Sequence, residues 1–257
     1  MKIGFRTAGF REWSLPDALS AIKRLGYDGV ELCLENHDLR PDVIAPARAK
    51  EVVALLADLE LELASVSYHA DGEALETRVP NTLRAIELAS EFGGSILVLN
   101  SRKAELDRRD EQWQCQLDRF RKLCDKAAEF EVDLAVEPEP GLLVDNMTDF
   151  ARLKRELRSC RLMLNLDIGH CHITDDLVPC IHTFAADIVH THFEDLPGKE
   201  HKHLVPGEGD MDLAAVVEAF REVRYDGYVT IDLFNITEAP EEHARRALEA
   251  TKALLGD

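Results

Sequence analysis

Short apolar runs alternate with longer amphipathic segments along the whole chain of 257 residues. A run of about four to eight apolar or β-branched residues predicts a strand, and an apolar residue at every third or fourth position predicts a helix. The runs predict strands at Lys2–Thr7, Gly29–Leu34, Glu62–His69, Ser95–Asn100, Asp133–Pro138, Leu162–Asp167, Asp187–Phe193 and Gly227–Phe234. The amphipathic segments predict helices at Leu15–Leu25, Val43–Leu59, Pro80–Phe92, Gln112–Phe130, Thr148–Leu157, Leu177–Ala185, Leu213–Val223 and Glu241–Leu255.

Capping residues and glycines support these boundaries. Ser14, followed by Pro16, is typical of a helix start, and Gly26 and Gly93 are typical of helix ends. Strands that alternate with helices over short connections predict a parallel sheet with right-handed crossovers. Eight such units in about 250 residues predict an α/β fold, a closed (β/α)8 TIM barrel that forms one domain over residues 1–257. An open doubly wound sheet is the alternative, but no Gly-x-Gly-x-x-Gly turn follows the first strand.

Polar side chains lie together on one face of several predicted strands. Successive side chains of a strand point to opposite faces, so Ser67 and His69 share one face of the third strand. His192 and Glu194 share a face of the seventh strand, and Asp232 lies near the end of the eighth. The interior of such a barrel is usually filled by Val, Ile and Leu. Polar residues on the inward faces therefore predict an active site at the C-terminal ends of the strands.

The sixth predicted strand ends in a sequence that is typical of a metal site. Asn165 and Asp167 interrupt an apolar run, and His170 follows directly after it. A carboxylate on a strand inside a core is unfavourable unless it is paired with a cation. The alternative is that Asp167 caps the helix that follows, a common role of Asp after a strand. The local sequence is compatible with both interpretations.

Four strands carry a ligand-type side chain at a comparable height: Glu137, Asp167, His192 and Asp232. Each has a structural alternative, such as a rigid Glu-Pro-Glu-Pro-Gly turn at Glu137 or a buried ion pair at Asp232. Together they predict one divalent metal site, while His190, one position deeper in its strand, is expected to be structural. Three carboxylates and an imidazole suit Mn²⁺, Co²⁺ or Mg²⁺, with Zn²⁺ as an alternative.

Composition narrows the classes of partner. The formal charge is -19, with 30 Lys and Arg against 49 Asp and Glu, and this disfavours nucleic-acid binding. No apolar run of about 18 residues predicts a membrane span, and Met1–Arg6 lacks the apolar core of a signal peptide. We therefore expect a cytoplasmic protein without membrane contact. Six cysteines without a Cys-x-x-Cys pair indicate reduced thiols, and Cys171 is a disfavoured metal ligand.

These residues show a resemblance to a known family. The chain resembles the xylose-isomerase-like TIM barrels, the superfamily of sugar phosphate isomerases and epimerases that also contains the apurinic-site endonucleases. The matching segments occur in the expected order over nearly the whole chain: Gly29-Val-Glu-Leu, Val136-Glu137-Pro-Glu-Pro, Leu166-Asp167-Ile-Gly-His170, Val189-His-Thr-His192-Phe-Glu-Asp195, His203-Leu-Val-Pro-Gly-Glu-Gly-Asp210 and Gly227-Tyr-Val-Thr-Ile-Asp232.

The resemblance implies roles for individual residues. The metal ligands would be the four residues named above, and His170 would contact substrate or a second metal ion. Asp232 departs from the family pattern, which usually has Glu at this position. The Arg that some ketose epimerases carry after the seventh strand has no equivalent here, since Lys199, His201 and His203 occupy that loop. We expect the substrate to be bound by four residues: His69, His170, His203 and Glu139.

The implied activity is that of a metal-dependent sugar isomerase or epimerase. A divalent ion would stabilise an enediolate of a ketose, aldose or cyclitol, while Glu137 and Asp232 exchange the proton. A metal-dependent dehydratase or lyase acting on a keto-sugar or inosose would use the same groups. An apurinic-site endonuclease is less favoured, because Asn100 stands where that branch is expected to have His. A non-catalytic binding barrel and a homo-oligomeric assembly also remain open. The partner expected is a small carbohydrate, and the lack of a Gly-rich phosphate loop favours a free sugar.

Overall fold

Eight parallel strands close into a barrel in the computed structural model, which describes residues 1–256. Each strand pairs with the next along the chain, and β8 returns to pair with β1 from Lys2 opposite Tyr228. The strands are β1 (Lys2–Arg6), β2 (Gly29–Cys33), β3 (Glu62–Ser67), β4 (Ile96–Asn100), β5 (Asp133–Glu137), β6 (Leu162–Asp167), β7 (Ile188–Phe193) and β8 (Tyr228–Ile231). The closed order confirms the predicted barrel and excludes an open sheet.

Nine α-helices surround the barrel within residues 1–256. They are α1 (Leu15–Leu25), α2 (Pro46–Asp58), α3 (Leu75–Glu91), α4 (Arg109–Glu129), α5 (Met147–Leu157), α6 (Ile168–Thr174), α7 (Leu177–Thr183), α8 (Leu213–Glu222) and α9 (Pro240–Leu255). Eight match predicted helices, and α6 was not predicted. The predicted start of α3 at Pro80 was wrong, because the helix already begins at Leu75, where Arg78 N donates to the Ala74 carbonyl at 2.8 Å.

The apolar core lies between the strands and the helices rather than inside the barrel. Outward-facing strand residues such as Val66, Val136 and Ile231 are fully buried against the helices. The inward positions at the C-terminal half of the barrel are polar, and they are buried as well. These inward residues are Arg6, Glu31, Ser65, Ser67, Asn100, Glu137, Asn165, Asp167, His190, His192 and Thr230. The usual aliphatic filling is thus replaced by groups that must hydrogen-bond or bind an ion.

A register shift aligns two of the predicted ligands. Between β6 and β7, Leu164 pairs with Ile188 but Asn165 pairs with His190, so β7 carries one extra residue at this point. Such a bulge redirects the side chains that follow it. As a result Asp167 lies directly beside His192 on the neighbouring strand.

None of the helices in residues 1–256 is long and apolar enough to cross a membrane.

Candidate active site and metal centre

The predicted site residues meet at the C-terminal mouth of the barrel, around a cavity of about 230 Å³. β3 and β8 end earlier than predicted, at Ser67 and Ile231, so His69 and Asp232 stand on the rim just beyond their strands. Asp167 and His192 lie beneath the cavity floor and are at most 2% exposed. Six of the predicted residues line the cavity wall: His69, Glu137, Glu139, His170, His203 and Asp232.

Three of the predicted ligands lie around the Nδ1 atom of the fourth, His192. This nitrogen lies 3.1 Å from Glu137 Oε2 and 3.8 Å from Asp167 Oδ2. It also lies 3.8 Å from Asp232 Oδ2. Ligand atoms at about 2.0–2.2 Å from one ion are themselves separated by about 3–4 Å. Asp167, His192 and Asp232 each place one ligand atom within 4.8 Å of the other two, which is compatible with binding to a single divalent ion. Glu137 Oε2 lies beside this group, next to His192 Nδ1.

Two of the four atoms have no hydrogen-bond partner. Asp167 Oδ2 and His192 Nδ1 are buried and make no hydrogen bond within the described residues, although Nδ1 lies within ion-pair distance of Glu137 Oε2. Unpaired buried polar atoms are rare because their desolvation is not offset. A cation at the centre of the cluster would satisfy both, and three carboxylates with one imidazole form a donor set that divalent ions accept. The residues present thus fit the predicted metal.

The charge state of the cluster is compatible with that fit. Burial alone would lower the pKa of His192, but the carboxylates of Glu31 and Glu137 raise it well above its usual value. Burial opposes ionisation of Glu137, yet the imidazoles of His192 and His69 hold the pKa of Glu137 well below its usual value. In the protein without an ion, protonated imidazole therefore balances the carboxylates. Metal binding at such a site displaces protons.

Glu31 supports His192 from below, and the sequence analysis assigned it no role. Its Oε2 lies 3.0 Å from His192 Nε2 and 3.1 Å from His190 Nε2, and it accepts from the Ser65 hydroxyl at 2.6 Å. A carboxylate on the outer nitrogen of an imidazole orients the ring and sets its tautomer. Here it turns Nδ1 of His192 toward Glu137. The feature that could have identified Glu31 is its position as the one charged residue in the strand Gly29–Cys33.

Asp167 caps the helix that follows it and leaves its second carboxylate oxygen without a hydrogen-bond partner in the part of the chain that the structure describes. Its Oδ1 accepts from the backbone N of His170 at 2.7 Å, which makes it the N-cap of α6. Its Oδ2 faces His192 and is free for a cation. Gly169 lies in the first turn of α6 and donates its N–H to Glu194 Oε1 at 2.7 Å. A Cβ on Gly169 would collide with that carboxylate oxygen, so a larger residue here would displace Glu194.

Arg6 is the main residue of the mouth that was missed. From the end of β1 its Nη1 lies 3.0 Å from Asp232 Oδ2, and its Nε lies 3.0 Å from Glu31 Oε1. Its Nη2 lies 2.9 Å from His69 Nδ1. Burial alone would lower the pKa of Arg6, but Asp232 and the other acidic neighbours raise it. Arg6 thus holds a permanent positive charge inside the barrel. Strand alternation could have predicted this position, because Arg6 lies two residues after Gly4 and therefore shares its inward face.

Histidines form the rim opposite Arg6. His170 Nδ1 lies 3.3 Å from Glu137 Oε1, and His170 Nε2 lies 2.8 Å from His201 Nε2. His203 Nδ1 lies 2.9 Å from the backbone oxygen of Asp232. One ring nitrogen from each of these three histidines lies within 4.8 Å of a nitrogen of the other two. Burial and the two neighbouring imidazoles lower the pKa of His201 to about 4, so it is a neutral hydrogen-bonding group at pH 7.

Glu139 completes the wall of the cavity. Its Oε2 accepts from the Asn100 amide at 2.8 Å, and burial raises its pKa. Lys199, which the sequence placed in the loop after β7, does not line the cavity and instead contacts the carbonyl of His172 on the surface.

Comparison with known proteins agrees with this architecture. Fructoselysine 3-epimerase of Shigella flexneri is 26% identical over 272 residues, covering 99% of this chain and 98% of the epimerase. Inosose dehydratase of Lacticaseibacillus casei is 27% identical over 168 residues, covering 56% of this chain and 54% of the dehydratase. The crystal structure of the IOLI protein with a bound zinc atom superposes with a TM-score of 0.81 at 18% identity, covering 100% of this chain and 98% of that one.

The family match covers most of the chain. Residues 19–254 match the family described as xylose isomerase-like TIM barrel. The full-length similarity to a sugar epimerase supports the assignment of this chain as an enzyme. The chain therefore belongs to the xylose isomerase-like TIM barrel family and is an enzyme.

Proposed function

We propose that this enzyme is a divalent-metal-dependent sugar isomerase or epimerase that acts beside a carbonyl group through an enediolate. The observation that carries the proposal is the grouping of Asp167, His192 and Asp232 at the spacing of ligands to one ion, beneath a cavity of about 230 Å³. Glu137 lies next to this group, with its Oε2 3.1 Å from His192 Nδ1. A cavity of this size suits a small molecule, and its wall is rich in groups that bind hydroxyls. The full-length relative named as a 3-epimerase supports the reaction class.

The four proposed ligands would hold one ion, with Mn²⁺, Co²⁺ or Mg²⁺ favoured by the oxygen-rich donor set and Zn²⁺ as the alternative. A divalent ion bound there supplies Lewis-acid stabilisation of the negative charge that develops when a carbon acid beside a carbonyl loses its proton. Glu31 orients the imidazole ligand, and Arg6 orients the carboxylate of Asp232.

Glu137 is the proposed base. Its pKa is held well below the usual value, against the effect of burial, by His192 and His69, so the side chain is an ionised carboxylate. Its Oε2 faces the ligand cluster, while its Oε1 faces His170 at the cavity wall. Glu137 thus accepts the proton from the substrate carbon at the edge of the cavity.

Asp232 is the proposed second proton carrier. It follows β8, so β6 and β7 separate it from Glu137 in the barrel. Two carboxylates that approach one carbon from different sides are what a 3-epimerase needs, because the proton leaves one face and returns to the other. Arg6 holds Asp232 at 3.0 Å and offsets the shorter reach of Asp compared with Glu by fixing the carboxylate in place.

Rim residues would position the sugar. His69, His203 and Glu139 line the cavity and offer both donors and acceptors to hydroxyl groups. His170 and His201 contact each other across the rim through their Nε2 atoms at 2.8 Å. The mouth is enclosed mainly by polar side chains, as expected for a carbohydrate rather than an apolar ligand.

Dehydration is the second candidate, because part of the chain is similar to an inosose dehydratase. The first step of a dehydration would be the same proton abstraction. The two reactions separate after the enediolate has formed. Loss of a β-hydroxyl removes one water from the substrate, whereas epimerisation leaves its mass unchanged.

The first experiment measures metal content by elemental mass spectrometry after purification without added metal. We expect about one equivalent of a divalent ion in the wild type and loss of it in Asp167→Asn and His192→Ala. Asp125→Asn, an exposed substitution on α4 with the same chemistry, is the matched control and should retain the metal. Absence of metal from every form, with none taken up on titration, would refute the proposed mechanism.

The second experiment incubates the metal-loaded protein with a panel of ketoses and cyclitol ketones in deuterated water. Epimerisation exchanges deuterium into the carbon beside the carbonyl, and mass spectrometry with proton NMR detects the exchange. A product that has lost one water assigns the enzyme as a dehydratase. Glu137→Gln should abolish either reaction.

A further inference from the structure

A second group of unpaired polar atoms lies outside the barrel, on helix α4. Most of the buried side-chain atoms that lack a partner within residues 1–256 lie in the barrel interior. Five of the six others belong to Gln112, Gln116 and Arg119. These residues are spaced by four and three positions, so they share one face of the helix. Because unpaired buried polar groups are rare, the cluster indicates a binding partner that is separate from the metal.

Arg119 stands out because it is a buried cation without a counter-ion. The residue is 7% exposed, and only its Nη2 has a partner, the Asn100 carbonyl at 3.4 Å. Nε and Nη1 have no partner among the described residues. Its neighbour Asp118 pairs with Arg121 at 2.6 Å instead. Burial of an unpaired charge is strongly unfavourable, so the position favours an anion.

A second buried arginine concentrates positive charge at the same place. Arg78 is 5% exposed and donates to the same Asn100 carbonyl at 3.1 Å. The two guanidinium groups therefore share one acceptor and repel each other. Burial, together with Arg78 and Arg102, lowers the pKa of Arg119 to about 9. The chain as a whole carries a charge of -19, which makes a local cationic cluster exceptional.

A cavity of about 270 Å³ opens beside the cluster, between the N-terminal half of α3 and α4. None of the residues that line it also lines the barrel mouth. Asp118 is the one acidic residue of its wall. The wall otherwise combines three cations, an amide, a thiol and two apolar side chains: Arg102, Arg119, Lys122, Gln116, Cys115, Leu75 and Val79.

We propose that this cavity binds a phosphate-type anion, either inorganic phosphate or a phosphate monoester. Three cationic side chains and the Gln116 amide match the several acceptor oxygens of a tetrahedral anion, and a guanidinium can donate two parallel hydrogen bonds to it. The bound charge would neutralise Arg119 and relieve its repulsion with Arg78. Leu75 and Val79 leave one wall suited to the carbon part of an ester. The proposal does not depend on the reaction in the barrel.

The test is thermal unfolding of the metal-loaded full chain in increasing sodium phosphate, with sodium chloride added to hold the ionic strength constant. Phosphate at about ten times its Kd should raise Tm by roughly 3 °C. Arg119→Met should abolish this rise and also raise Tm in phosphate-free buffer, because it removes an unpaired buried charge. Lys122→Gln alters only an exposed wall residue and should weaken the phosphate affinity severalfold while the protein stays folded.

Two controls show where the phosphate binds. Lys252→Gln, an exposed cation on α9, should keep the phosphate-dependent rise in Tm. Asp167→Asn, at the barrel mouth, is compared with chelator-treated wild type because it is expected to lack the metal, and it should keep the rise as well. Absence of a rise in the wild type, or an equal rise in Lys122→Gln and the wild type, would overturn the proposal. Loss of the rise in Asp167→Asn would also overturn it, because the anion would then bind at the mouth. A Tm that depends on protein concentration but not on phosphate would assign the cavity to a carboxylate of a second copy instead.

Discussion

Asp167 makes two contacts that a pair of substitutions can separate. Its Oδ1 caps α6 through the backbone N of His170, and its Oδ2 faces His192 Nδ1 at 3.8 Å. Asp167→Asn keeps an oxygen for the cap but removes the negative charge that a cation requires. Asp167→Ala removes both. We therefore expect the first variant to lose metal binding alone, and the second to lose metal binding and stability.

The expected loss in the free energy of unfolding follows from the N-cap contact of Asp167. Loss of an N-cap side chain costs about 1 kcal/mol, and a buried N–H left without an acceptor costs about 1–3 kcal/mol. The free energy of unfolding of the metal-free protein should thus fall by about 1–3 kcal/mol in Asp167→Ala. Asp167→Asn should stay within about 0.5 kcal/mol of the wild type, because Asn is as good a cap as Asp. Burial and the charge of Asp167 raise the pKa of Glu194. Asp167→Asn removes that charge, so the relief of repulsion with Glu194 also helps this variant to keep its stability.

The assay is urea unfolding of the chelator-treated protein at pH 7, followed by calorimetric titration with Mn²⁺ and Zn²⁺. Asn146→Ala is the matched control, since Asn146 caps α5 by accepting from Asp149 N at 3.0 Å, away from the mouth. It should lose about 1 kcal/mol and bind metal like the wild type. Equal destabilisation in Asp167→Asn and Asp167→Ala would refute the cap argument. Wild-type metal affinity in both would refute the ligand assignment.

Three further outcomes follow from the buried polar network. Glu31→Gln should weaken metal binding by about 10–100-fold in calorimetry, because it removes the charge that orients the imidazole ligand, whereas Glu62→Gln on the surface should not. Arg6→Gln should lower the free energy of unfolding in urea by about 3–5 kcal/mol, since it leaves two buried carboxylates without their cation, whereas Arg245→Gln in exposed ion pairs should leave it nearly unchanged. Burial raises the pKa of Tyr27, so above about pH 10 only the unfolded chain loses this proton and the wild type loses stability as the pH rises. Tyr27→Phe should be less stable by about 1 kcal/mol at pH 8, with a gap that closes by about pH 11 in urea unfolding, and a gap constant with pH would contradict this.

The inward polar faces show why much of this site was predictable from local sequence. Strand alternation placed Glu137, Asp167 and His192 on one side of their strands, and parallel topology brought the C-terminal strand ends to the same edge. Both rules depend only on residues within one strand and on the order of elements. The ligand roles of these residues, and of Asp232, are still predictions that metal analysis has to test.

Local patterns along the chain were enough to predict the eightfold order of strands and helices, the polar edge of the barrel and the residue types available for a metal. The groups that support those residues could be identified only in the folded barrel, because the partners lie far apart in the chain. Arg6 meets Asp232 across 226 positions and Glu31 meets His192 across 161, contacts that exist only once β1 closes against β8 and the barrel interior is formed. Local patterns carry no record of such pairs. Helix α6 was not predicted because its seven residues are too few for a periodic signal. Its first turn also depends on a distant residue, since Gly169 N donates to Glu194, which directly follows β7.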